Sequence, residues 1–116
     1  MPNAVWFISY KLKKGASASD FLLASEETHK EVLSKKKGFL SWEVLSHGDT
    51  WVDLVTWETM EDAVNAEEND GSDPIASKFY SFIDFESMEM RAYTVERDYD
   101  GIGASGGRSD ERCTDS

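Results

Sequence analysis

Apolar residues in this chain switch repeatedly between the every-second spacing of a strand and the three-or-four spacing of a helix, in the order strand, helix, strand, strand, helix, strand. Few compact arrangements satisfy that order. Two crude β-α-β halves fit together as one four-stranded antiparallel sheet with both helices packed on it, the ferredoxin-like α+β arrangement.

The first run, Ala4 to Leu12, is rich in β-branched and aromatic residues and closes at Lys13-Lys14-Gly15. Ser17-Ala18-Ser19-Asp20 then matches a Ser-x-x-acid cap. After it, Leu22, Ser25, His29, Val32 and Lys36 fall on one helical stripe that ends at Gly38, a residue suited to the left-handed conformation that closes a helix. Phe39 to Leu45 and Thr50 to Trp57 flank Ser46-His47-Gly48-Asp49 and are predicted to form a β-hairpin. Its register is open, because a slip of one residue turns Trp51, Asp53, Val55 and Trp57 to the opposite face.

Thr59-Met60-Glu61-Asp62 repeats the capping pattern and begins a second helix carrying Met60, Ala63 and Val64. Asn69 to Asp73 interrupts it, and Asp73 followed by Pro74 restarts it through Phe79 to Ile83. Glu86 to Arg97 alternates as a fourth strand. Residues 1–99 are therefore predicted to form one ferredoxin-like domain. From Asp100 onward Gly, Ser and charge predominate, so 100–116 is expected to be a disordered tail carrying Cys113.

Composition narrows the function classes. A chain of 116 residues, 40% hydrophobic, can bury one core without staples. The single cysteine excludes an internal disulfide or a cysteine metal cluster and suits a reducing compartment. With 23 acidic against 12 basic residues the net charge is −11, which repels phosphate backbones and anionic lipids, so nucleic acid and membrane are not expected as partners. Lys35-Lys36-Lys37, the one basic run, reads as cations at a helix C-terminus. No apolar stretch approaches the roughly 20 residues that span a bilayer, and the beginning of the sequence carries no leader pattern, so a cytoplasmic location is expected.

The strands also imply self-association. A sheet covered by helices on one side normally shows polar residues on the other. Here one phase holds Trp6, Ile8, Tyr10, Leu12, Leu40, Trp42 and Val44, while the other still holds Val5, Phe7, Phe39 and Leu45, with Trp51, Val55 and Trp57 joining one of them. If about eight such side chains each expose roughly 100 Å², the patch is on the order of 800 Å², close to one side of a standard protein interface. A homodimer closed through the open face, a dimeric α/β barrel, is the expected assembly; a longer second helix or the tail folding over that face is the alternative.

The element order, with Gly38-Phe39-Leu40-Ser41-Trp42-Glu43-Val44 and Thr50-Trp51-Val52-Asp53-Leu54-Val55-Thr56-Trp57-Glu58, resembles the dimeric α/β-barrel superfamily that includes the antibiotic biosynthesis monooxygenases. The likeness spans residues 4–97 and its motifs are structural rather than catalytic. It implies a homodimer with a small-molecule pocket between sheet and helices in each subunit, and in some members oxygenation of aromatic polyketides without metal or organic cofactor. The heme-degrading branch uses a histidine on the second helix and a nearby tryptophan. Residues 60–83 contain neither.

Oxygenation without a cofactor needs a base to form a substrate carbanion or phenolate, an apolar pocket that excludes water, and a group that steadies the anion. His29, on the stripe of the first helix, is the candidate catalytic base, or else a structural histidine with a satisfied ring. Tyr10, Trp42 and Trp57 are candidate pocket walls, or ordinary core, and Asp53 is a candidate to orient the imidazole. His47 reads as an exposed turn residue, and two histidines so far apart make no metal site. The sequence supports two functions: a homodimer that binds and oxidises a small apolar or aromatic ligand without cofactor, or a non-enzymatic ligand-binding or dimerisation module.

Overall fold

The computed structural model describes residues 2–68 and 73–101. The expected break at 69–72 and all but the first two residues of the expected tail, Cys113 included, lie outside the described residues. Strands β1 (Ala4–Leu12), β2 (Phe39–His47), β3 (Thr50–Trp57) and β4 (Ile83–Thr94) form one antiparallel sheet in the order β2-β3-β1-β4. Helices α1 (Ala18–Glu31), α2 (Met60–Glu68) and α3 (Pro74–Tyr80) complete the ferredoxin-like α+β arrangement that the element order implied.

Caps start the helices where the sequence placed them. Ser17 Oγ accepts from the Asp20 amide at 3.2 Å, and Thr59 Oγ1 accepts from the Asp62 amide at 3.0 Å. Asp73 Oδ1 accepts from the Ile75 and Ala76 amides, with Pro74 at the first helical position, where its missing N–H costs nothing. The hairpin turns through Gly48-Asp49, with His47 paired to Thr50 and a left-handed φ of 63° at Gly48 only, as a type II′ turn requires. His47 is exposed, as expected, though it ends β2 rather than lying in the turn.

Several expectations need correction. First, α1 ends at Glu31 and passes through a 3₁₀ turn, Leu33–Lys35, so Gly38 does not close it. Gly38 has a φ of 82° and donates its space instead: a Cβ there would run into the Asp62 side chain, and its carbonyl accepts from the Glu58 amide at 2.7 Å.

Second, the buried side of α1 is Phe21, Ala24, Ser25 and Thr28, not the stripe through Leu22 and His29, both of which are exposed. The cause is Phe21. Its ring stacks on Phe79 at 5.1 Å and meets Trp51, Tyr10 and Phe82 edge-on, so the largest apolar gain fixes the helix rotation about this residue. Thr28, seven residues on, returns to within about 20° of Phe21, whereas His29 lies about 80° from Phe21 on the other side.

Third, the sheet is less evenly apolar than the phases suggested. Register places Trp6, Trp42, Trp51 and Trp57 all on the helix side, and an extra residue at Leu40 brings Phe39 there too. The open face carries Val5, Phe7, Leu45, Val52, Leu54 and Tyr93, interspersed with Glu43, Glu89 and Arg91. Ile83, assigned to the second helical region by its spacing, begins β4 and is fully buried.

Candidate functional site

Cross-strand rows on the helix side build the site. Val44, Asp53, Ile8 and Met90 form one row, and Trp42, Val55, Trp6 and Ala92 the next. A carboxyl therefore stands among apolar side chains because the period of two allows Asp53 no other face once Val55 and Trp57 are buried. Asp53 is 4% exposed. Its one hydrogen bond across the sheet comes from Tyr10, whose Oη–H donates to Asp53 Oδ1 at 2.8 Å. The two residues lie on adjacent strands, diagonal to each other, within reach for a long aromatic side chain.

Beside this pair β4 leaves its regular register. Ser9 pairs with Glu89 but Lys11 pairs with Asp84, so four residues of β4, Phe85 to Met88, stand opposite the single Tyr10, three more than a regular ladder has. Side chains hold the bulge in place. Ser87 Oγ accepts the Lys11 amide at 2.8 Å and donates to the Asp84 carbonyl at 2.6 Å, while the Glu86 amide donates to Asp84 Oδ1 at 3.1 Å. Without a tight ladder here, Met88 and Phe85 border open space rather than packed strand.

A cavity lies between the sheet and the helices, with Trp6, Trp42, Asp53, Phe79, Tyr80 and Met88 among its walls. Its inner room is about 30 Å³, and about 420 Å³ when the open mouth is included. Four of its residues, Trp6, Ile8, Tyr80 and Met88, also border a groove of about 230 Å³ that continues past Phe85 and Met90 toward Glu67 of α2. The site is thus a small cavity with one buried carboxyl in a mostly apolar wall, adjoining an apolar trough.

Burial pushes the Asp53 carboxyl up to about 6; the hydrogen bond from Tyr10 and a weaker pull from the Trp42 indole act in the opposite direction. No hydrogen bond of acceptable geometry joins Trp42 Nε1 to Asp53, so the indole acts on the carboxyl as a nearby dipole and remains without a partner. Tyr10 is raised as well, by burial first and then by the adjacent carboxyl, so its phenol stays protonated and serves as donor. At neutral pH the result is a mostly ionised, desolvated carboxylate steadied by one strong donor, an arrangement able to take up a proton.

The structure brings together three of the five residues singled out from the sequence. Asp53 and Trp42 line the cavity, and Tyr10 stands behind Asp53. Trp57 is fully buried one row further on, against Trp6 at 4.8 Å and Phe39 at 5.8 Å, and does not border the cavity. His29 is exposed, rests its ring against Phe39 at 5.6 Å, and is absent from the cavity walls. Asp53 therefore orients toward a phenol, not an imidazole. Thr28 takes the cavity position expected of His29, because Phe21 sets the rotation of α1. Trp6, Tyr80 and Met88 were missed as site residues. Trp6 shares its phase with Tyr10, a signal present in the sequence, whereas Tyr80 and Met88 depend on where α3 ends and on the β4 bulge. Among the described residues no group of three or more His, Cys, Asp or Glu side chains could hold a metal ion, and no helix is long and apolar enough to cross a membrane.

No family model matches this sequence, and neither does any curated protein. The fold, however, recurs in solved structures. SnoaB, a cofactor-independent oxygenase from Streptomyces nogalater, superposes with a TM-score of 0.68 at 14% identity, covering 84% of this chain and 97% of that one. A Nitrosomonas europaea protein provisionally named an antibiotic biosynthesis monooxygenase gives 0.62 at 14% identity, covering 81% and 90%. A conserved protein from Methanosarcina mazei gives 0.63 at 16%, covering 80% and 92%. At such identities the likeness establishes the fold alone: this chain shares the ferredoxin-like arrangement of these solved structures.

Proposed function

We propose that the chain is a homodimeric, cofactor-independent oxygenase that binds a small aromatic ligand in the trough and uses Asp53 as the base. The carrying observation is Asp53 itself, a buried carboxyl hydrogen-bonded to Tyr10 in the wall of a mostly apolar cavity. A carboxylate so desolvated takes a proton from a phenol or an activated CH₂ more readily than one in water. The resulting anion can give electrons to O₂. When a CH₂ becomes C=O, one oxygen atom enters the product and the other leaves as water with the two hydrogens. Trp42 flanks the developing charge and Tyr10 holds the carboxylate; Trp57 supports the wall by packing on Trp6. The fold shared with SnoaB is consistent with this reading.

Oxygen uptake with anthrone tests it. Wild type is expected to consume O₂ above the buffer rate, with a pH profile rising through about 6, and Asp53→Asn to lose at least about 100-fold, the scale of general-base catalysis. His29→Ala is expected to stay within about twofold of wild type; a collapse there would return the role of base to His29. A second reading, a non-enzymatic ligand-binding or dimerisation module, is favoured by the small inner room of about 30 Å³. Ligand binding without any O₂ uptake would select it.

A further inference from the structure

In a Thr-x-x-acid cap the acid normally reaches back to the amide of the capping residue. Asp62 does not. Thr59 Oγ1 accepts from the Asp62 amide at 3.0 Å, but the Asp62 carboxylate makes no return bond, nor any other hydrogen bond or ion pair among the described residues. It turns instead over Gly38, whose missing Cβ leaves it room. Asp62 is only 6% exposed, and a carboxylate so far removed from water is costly without a partner. Its oxygens are not sealed in, since among the described residues the unpartnered side-chain atoms cut off from solvent are the three indole nitrogens of Trp6, Trp42 and Trp57. Asp62 borders a cavity of about 180 Å³ between the chain entering β2 and helix α2, and the carboxylate opens there.

The other walls of this cavity are Lys36, Lys37, Asn65 and Ala66. Neither lysine comes within 4.0 Å of a carboxylate oxygen among the described residues, so two ammonium groups and one carboxylate stand around the same space unpaired. Unlike charges held apart across a cavity define what can fill it. A simple cation meets Lys36 and Lys37 as well as Asp62, and a simple anion meets the desolvated carboxylate, so part of the wall repels each. A molecule that carries both charges a few bonds apart is opposed by neither. We infer that this cavity binds a free α-amino acid with a short side chain. Its ammonium donates to Asp62, its carboxylate accepts from Lys36 and Lys37, and its side chain lies toward Ala66. Charge-assisted hydrogen bonds of this kind are the strong ones. The volume is below the roughly 300 Å³ at which drug-sized pockets begin, which limits the occupant to a small molecule. No wall is shared with the cavity at Asp53 or with the trough, so the inference goes beyond the proposed oxygenase and does not depend on it.

Titration of the ¹⁵N-labelled full chain with L-alanine, propionate and ethylamine at constant ionic strength provides the test. The last two are L-alanine without its ammonium and without its carboxylate. We expect L-alanine at millimolar concentration to shift the Gly38, Asp62, Asn65 and Ala66 amide signals saturably, to leave Tyr80 and Met88 in place, and to bind at least about tenfold tighter than either fragment. Asp62→Asn, and Lys36→Gln combined with Lys37→Gln, should each weaken L-alanine by at least about tenfold. Neither change removes the Thr59 cap, which uses the Asp62 backbone amide. Absence of a saturable shift with L-alanine would mean that a lysine closes on Asp62 unaided, and overturns the inference. Propionate or ethylamine binding as tightly as L-alanine overturns it too, by reducing the site to the lysines or the carboxylate alone. Shifts confined to Tyr80 and Met88, or unchanged affinity in folded variants, have the same consequence. The three wild-type titrations decide the matter even if a variant fails to fold.

Discussion

Asp53 shows how a single side chain can carry a cost and a use at once. Its carboxyl is raised from its ordinary 3.8 to about 6, so the folded chain binds a proton more tightly than the unfolded chain does. Stability from this group is fully present below about pH 4 and is lost as pH rises through about 6, by on the order of 3 kcal/mol at neutral pH for a shift of roughly two units. Asp53→Asn keeps an oxygen to accept from Tyr10 and cannot ionise. It is expected to be more stable than wild type at pH 7 by about 1–3 kcal/mol and close to it at pH 4. Urea denaturation at the two pH values checks this; an unchanged difference between them would mean that Asp53 is solvated. Gly38 is a different kind of constrained position, with both its φ of 82° and the Asp62 side chain opposing a Cβ. Gly38→Ala should cost more than about 2 kcal/mol, against about 1 kcal/mol for Gly48→Ala, where nothing lies within contact. Thermal unfolding of the two variants side by side measures the gap.

Among the elements, α1 and β4 do most to shape the site. Helix α1 turns on Phe21, whose ring touches four others, and that rotation sends Thr28 to the cavity and His29 to the surface. Strand β4 gives up regular pairing opposite Tyr10, and Ser87 bridges the gap with two hydrogen bonds. Ser87→Ala leaves the Lys11 amide without its acceptor and should cost about 1–2 kcal/mol. Hydrogen exchange is the specific readout: the Lys11 amide is expected to exchange at least tenfold faster, with Phe7 unchanged. Equal protection at Lys11 would show that the bulge holds without the serine.

For the whole molecule, the open sheet face is the feature to explain. Phe7 remains 40% exposed, Leu45 44% and Tyr93 52%, a cluster of large apolar side chains with charges at intervals. A twofold pairing through this face would cover it, and Arg91 of one copy could then meet Glu43 or Glu89 of the other. Sedimentation at micromolar concentration is expected to report twice the 13.1 kDa chain mass. Phe7 pairs directly with Arg91, so Phe7→Glu gains a partner within its own sheet and should keep the fold while halving the particle mass. A wild-type particle of single-chain mass would remove the dimer from the proposed function.

Local chemistry was enough to read the order of elements, the three helix caps, the Gly48 turn and the helix that begins at Pro74, because caps and turns are satisfied by residues within a few positions of one another. Tyr10, Trp42 and Asp53 could be nominated on the same basis, from residue type and phase. Which of them meet was decided in three dimensions. A one-residue bulge at Leu40 turned Phe39 inward, the β4 bulge opened room beside Tyr10, and one phenylalanine rotated a helix enough to exchange His29 for Thr28. Each of these depends on contacts between residues far apart in the chain, and periodicity holds no record of them: it states which side chains share a face, while packing chooses which face is buried and what stands opposite.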